Sequence, residues 1–148
     1  VERDDFWKLI AFVDREALHR FDDDAAIAPL IVELAMRDEP TRRGFEEELA
    51  HVLRGIDSRA HADHAGESGD SNDAFLYARC FVVASGQHHY QTVLDDPGAM
   101  PRTLDEWCES LLYAAGKAWG IRTGRDPEEW DFHASVSYET GTNKAKWA

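Results

Sequence analysis

Cysteine is scarce. Cys80 and Cys108 are the only two in 148 residues, and a pair of thiols in an acidic chain is not a disulfide framework. Each has apolar neighbours in a predicted helix, so both are expected as buried structural residues. Basic charge is also short: 16 Lys plus Arg stand against 29 Asp plus Glu, a formal net charge of −13. A field of that sign repels phosphate backbones and anionic lipid, so neither nucleic acid nor a membrane is the expected partner. A basic protein partner would suit it, and colloidal solubility is the plainer consequence. No apolar run reaches transmembrane length and no charged-then-apolar leader opens the chain, so the expectation is a cytoplasmic protein, any leader removed before Val1 being invisible. A Gly-x-Ser-x-Gly elbow, a P-loop and a Gly-x-Gly-x-x-Gly loop are all missing. So are internal repeats and low-complexity tracts.

What is present is apolar material in helical register. Hydrophobic residues make up 43 % and aromatics 11 %, five of them Trp, enough to build a core in a chain of one-domain length. Phe6, Leu9, Ile10, Val13, Ala17 and Phe21 predict a first helix capped by Asp4 or Asp5. Ile27, Leu30, Ile31 and Leu34 predict a second, with Pro29 in its first turn or kinking it. Asp38 caps a third, with Phe45, Leu49, Val52, Leu53 and Ile56 as its stripe. Residues 57–71 hold no large apolar side chain and read as a solvated polar loop. Ser71 or Asn72 caps a helix through Phe75, Ala78, Phe81 and Val82, ended by Gly86. A short helix through Tyr90, Val93 and Leu94 stops at Asp96-Pro97-Gly98. Thr103-Leu104-Asp105-Glu106 reads as a capping box opening a long helix through Trp107, Cys108, Leu111, Leu112, Ala115 and Trp119. Residues 120–148 read as an irregular tail anchored by Trp130, Tyr138 and Trp147, with Val136-Ser137-Tyr138 as an unpaired extended segment. The expected architecture is therefore one mainly α domain over 1–148, a compact bundle of about six amphipathic helices.

Two stretches carry a family resemblance. One is Phe6-Trp7-Lys8-Leu9-Ile10. The other is Ser71-Asn72-Asp73-Ala74-Phe75-Leu76-Tyr77-Ala78-Arg79, followed by Phe81-Val82-Val83, Gly86, Tyr90 and Asp96-Pro97. Together they resemble the bacterial family known as domain of unknown function 4240, over roughly Phe6 to Asp96. Its members similarly open on a Phe-Trp pair and later run a Ser-Asp-Asp-like turn into an aromatic- and Arg-containing helix. Here Asn72 stands where an Asp is usual, and Ala78 and Phe81 replace larger aromatics. The resemblance implies a helical fold and brings no activity with it.

Three constellations bear on chemistry. Glu16-x-x-His19 and Glu48-x-x-His51, with Glu33 and Glu109, imitate a di-iron carboxylate bundle. His19 lies about 135° and His51 about 145° from the centre of its helix's apolar stripe, so both point to solvent. His61-x-x-His64 has the ligand types of a zinc or nickel site, with Asp63, Glu67 and Asp70 nearby, but no second fixed pair. Asp73, Arg79 and Tyr90, with Trp7 from the opening helix, would line a ligand pocket. The plainer reading gives Asp73 to the helix dipole and lets Arg79 lay its stem on apolar surface.

The leading functional expectation is a non-enzymatic protein-interaction or accessory module whose acidic face meets a partner, with no cofactor. The alternative is a small-ligand protein or enzyme with its pocket at Trp7, Asp73, Arg79 and Tyr90. A divalent-metal protein using His61 and His64 is the third expectation. Oligomeric state does not follow from the sequence.

Overall fold

The computed structural model describes residues 1–148 and contains helices and turns but no strand. Nine α-helices follow in order: α1 (Arg3–Ile10), α2 (Arg15–His19), α3 (Asp23–Met36), α4 (Glu39–Gly55), α5 (Arg59–Asp63), α6 (Asn72–Ala84), α7 (Gln87–Asp95), α8 (Ala114–Thr123) and α9 (Lys144–Trp147). Six of them have eight or more residues, which meets the expected bundle. Their apolar faces meet in one core drawn from α1 through α8, where Phe6 stacks on Phe45 at 5.1 Å and meets Trp7 edge-on at 5.0 Å. Helices α3 and α8 share the most extensive helix–helix contact. No helix is long and apolar enough to cross a membrane.

Asp38 and Ser71 cap helices where the sequence places them, and Asp22 caps α3. The Asp22, Asp38 and Ser71 side chains accept the backbone N–H groups of Ala25, Thr41 and Ala74. Three elements differ from expectation. The stripe over 6–21 is divided, because Asp14 accepts from Glu16 N and Ala17 N and starts α2 afresh, while its own N–H donates to the Ala26 carbonyl on α3. Pro29 lies past the first turn of α3.

The long helix expected from Thr103 is the second difference. The Thr103 hydroxyl donates to the Glu106 carboxylate at 3.3 Å, so neither side chain closes a capping box. Backbone donors that such a helix would use are taken by distant partners instead. Cys108 N–H goes to the Tyr77 carbonyl, and Ser110 N–H goes to the Asp23 carboxylate. Residues Glu109–Tyr113 tighten to a 3-10 turn, and regular helix begins only at Ala114.

The third is the polar stretch 57–71. It is folded rather than a solvated loop. Ser58 caps α5, a 3-10 turn spans Gly66–Asp70, and Asp57, Ser58, His61, Ala65 and Ser68 are buried. Polar side chains enter an interior when their donors and acceptors are met, which hydrophobic periodicity does not register.

Candidate functional site

The last four carbonyls of an α-helix have no intrahelical donor. In α4 they belong to Val52, Leu53, Arg54 and Gly55, and side chains from elsewhere serve all four. Tyr90 O–H donates to the Val52 carbonyl at 2.7 Å, and Arg79 Nη1 to that of Leu53 at 3.0 Å. Asn143 Nδ2 donates to Arg54 at 2.9 Å, and Lys146 Nζ to Gly55 at 2.5 Å. Two of the four caps are cations, the sign a helix C-terminus attracts. The residues nominated for a ligand pocket are thus engaged: Arg79 and Tyr90 are buried against α4, and the Trp7 ring lies 5.3 Å from that of Tyr90. Asp73 stays exposed in the first turn of α6 and bonds to neither. Trp7 lines a cleft of about 440 Å³ with Asp4, Lys8, Ala11, Arg15 and Gln87, and neither that cleft nor four others are lined by Asp73, Arg79 or Tyr90. Gly55 is required here, since a β-carbon on it would meet the Tyr90 oxygen at 2.5 Å.

Arg79 is also one half of a buried polar pair. Its guanidinium donates to the Tyr138 carbonyl at 2.9 Å and the Thr140 hydroxyl at 3.0 Å, and lies 4.8 Å over the Phe75 ring. Burial pulls its pKa down, and the charge of Asp57 opposes that pull. Asp57, fully buried, accepts Gly141 N–H at 3.0 Å, Asn143 N–H at 3.1 Å and the Trp147 indole N–H at 2.8 Å. The pair holds the chain's tail. The sequence marks Arg79 but gives no sign of Asp57, which reads as a helix-ending surface Asp.

His61 is locked rather than open. Its Nε2 donates to the Val93 carbonyl at 2.8 Å, so the neutral ring accepts at Nδ1 from Ser58 Oγ at 2.5 Å. His64 is exposed and bonds the Ala60 carbonyl through Nδ1. Burial holds both His61 and His89 below the ordinary histidine pKa. A group whose folded pKa is depressed stabilises the fold above its unfolded value, here 6.5, and that contribution is lost as pH falls through the folded value. Urea midpoints are therefore expected to fall between pH 7 and pH 5, and H61Q to flatten the fall. A midpoint constant over that range would contradict it. The other metal-like motifs disperse on the surface. Glu48 pairs with Arg3, His51 with Glu47, Glu33 with Arg37, and Glu109 accepts from Tyr113. No three His, Cys, Asp or Glu side chains converge as a metal-binding group. Burial raises the thiol pKa of Cys80 to about 12 and that of Cys108 well up, which keeps both protonated at neutral pH.

A further open surface lies where the turn before α3 meets residues 106–113. Two clefts open there, their walls drawn from neighbouring positions of the same two segments, Phe21 and Glu106 in one, Asp23 and Trp107 in the other. One of about 340 Å³ is lined by His19, Phe21, Phe81, Ser85, His89 and Glu106. The other, about 270 Å³, is lined by Asp23, Asp24, Trp107, Glu109, Ser110, Tyr113 and Lys117. Asp23 Oδ2 and Asp24 Oδ1 both approach the Ser110 hydroxyl, at 2.9 and 2.5 Å. Neither carboxylate has a Lys, Arg or His nitrogen within 4.0 Å. Trp107 packs at 4.5 Å against Tyr77 with the rings tilted 49° to one another, and is only half-buried. Phe21 is the chain's only non-glycine residue at positive φ, 63°, and its side chain is 55 % exposed. A bulky residue held there costs roughly 1–2 kcal/mol. The helical period counts Phe21 into a buried stripe, whereas the structure exposes it, and nothing in the sequence marks this surface.

No curated protein and no solved structure matches the chain. The family model described as protein of unknown function (DUF4240) matches residues 1–120, which include every residue of the two clefts and stop short of the tail. By that match the chain belongs to the DUF4240 family.

Proposed function

We propose that this protein is a non-enzymatic interaction module that holds a basic segment of a partner protein on the face formed by Phe21, Asp23, Asp24, Trp107, Glu109 and Tyr113. The observation that carries the reading is the Asp23–Asp24 pair. Both carboxylates compete for the one Ser110 hydroxyl proton, Asp23 has only the Ser110 N–H besides, and no Lys, Arg or His nitrogen lies within 4.0 Å of either, Lys117 on the cleft wall included. An arginine or lysine from outside would meet both charges, with Trp107 and Tyr113 beside it to receive the cation on a ring face. The exposed Phe21 ring offers apolar contact next to that slot, and aromatic anchors ringed by charge are typical of protein-binding patches. The net charge of −13 favours encounter with a basic surface.

Calorimetric titration with a short peptide of alternating arginine and leucine tests this. The expected result is saturable binding, weakened at least tenfold in D23N/D24N and little changed in D126N/E128Q on the distant tail. Asn keeps the acceptor for Ser110 and removes only charge. Equal binding by all three proteins would overturn the assignment.

A further inference from the structure

Residues 131–140 alternate regularly between exposed and half-buried, with Phe132, Ala134, Val136, Tyr138 and Thr140 turned inward. That period of two belongs to an extended chain, yet the segment pairs with no strand. It lies across the rest of the molecule as a bound peptide would, and much of what holds residues 137–147 is directed at main-chain atoms. Arg54 donates to the Ser137 carbonyl at 3.2 Å and Arg79 to that of Tyr138. Asp57 accepts the N–H groups of Gly141 and Asn143, and Arg59 donates to the Trp147 carbonyl at 2.8 Å while its guanidinium sits 5.6 Å over that indole.

Three features separate this segment from the body it covers. The family model ends at residue 120. Gly124, at φ 73°, ends α8 in the left-handed conformation and turns the chain into the tail, its N–H donating to the Gly120 carbonyl. Arg79 is fully buried beneath the segment with no carboxylate within 4.0 Å, and its Nε has no partner at all. A guanidinium so incompletely matched gains hydration whenever the tail lifts. A cleft of about 220 Å³ lies between Glu46 on α4 and residues 132–139, which are tied to α4 on that side by Ser135 N–H donating to Glu47 at 2.8 Å.

We propose that the groove lined by Arg54, Asp57, Arg59 and Arg79 is a peptide-binding site, filled in one molecule by its own residues 137–147 and able to take the same segment from a second copy of this chain. The face proposed above for a basic partner plays no part in this site. The tail in cis competes at an effective concentration in the millimolar range, so exchange between copies is weak until the resident segment is loosened.

The test uses the full chain and a labelled peptide spanning residues 135–148. Fluorescence anisotropy is expected to show weak binding to the wild type and at least tenfold tighter binding to full-length W147A, whose own tail has lost its anchor. A peptide carrying the same Trp147→Ala change should bind neither. Hydrogen exchange on the wild type is the second measurement. Gly141 and Asn143 amides are expected to exchange at least a hundredfold faster than the Cys80 and Phe81 amides of α6, because the tail opens without global unfolding. Equal protection in the two regions, or a W147A chain that binds the peptide no better than wild type, would overturn the proposal.

Discussion

Replacing Arg79 with methionine is expected to destabilise the protein by about 3–5 kcal/mol. Methionine fills much of the volume, so little of that loss is a cavity. What goes is the donor for the Leu53 and Tyr138 carbonyls and the Thr140 hydroxyl, and with it the positive charge that faces buried Asp57. In a domain of this size the loss corresponds to a fall in melting temperature of roughly 10 °C or more. Arg79→Lys keeps the charge but cannot span three acceptors with one ammonium, and should recover less than half of the loss. Urea unfolding checks both variants; an R79M protein within about 1 kcal/mol of wild type would mean that water replaces the guanidinium at little cost.

Asp57→Ala should have an effect of similar size, about 3 kcal/mol. It strips the acceptor from three N–H groups at once, those of Gly141, Asn143 and the Trp147 indole. It also leaves Arg79 buried without its nearest counter-charge. Asp57 and Arg79 grip the two ends of one segment, so removing both should cost less than the sum by about 1–3 kcal/mol in a double-mutant cycle. Trp147 fluorescence is expected to shift to the red in D57A as the indole leaves its site. Strict additivity would mean that the two residues hold the tail independently.

A simple feature of the sequence explains why these two residues differ in legibility. Arg79 interrupts an apolar stripe, so it attracts notice even when its partners cannot be named. Asp57 follows a helix and a glycine, where an acidic residue is unremarked, and only the return of residues 141–147 gives it work. The same holds for the stretch 57–71. Its lack of large apolar residues speaks for solvent, yet His61 and Ser58 are buried because they satisfy one another and Val93. Helices α3, α4 and α6 were legible because capping side chain and apolar period agree within a few residues. The long helix expected from Thr103 fails for the opposite reason. Its local signals are good, but Tyr77 and Asp23 remove the backbone donors from another part of the chain. The proposed partner face was illegible because the strain at Phe21 and the approach of Asp23 and Asp24 to Ser110 exist only once α3 and residues 106–113 are brought together.

Mapping the arginine–leucine peptide by nuclear magnetic resonance tests the proposed function most directly. Saturating shifts are expected at the Asp23, Asp24 and Ser110 amides and the Trp107 indole, weakening as salt rises, while the Gly141 and Asn143 amides stay in place. Shifts spread over carboxylates in every part of the surface, growing without saturation, would show that the peptide feels only the net charge and that no site exists there.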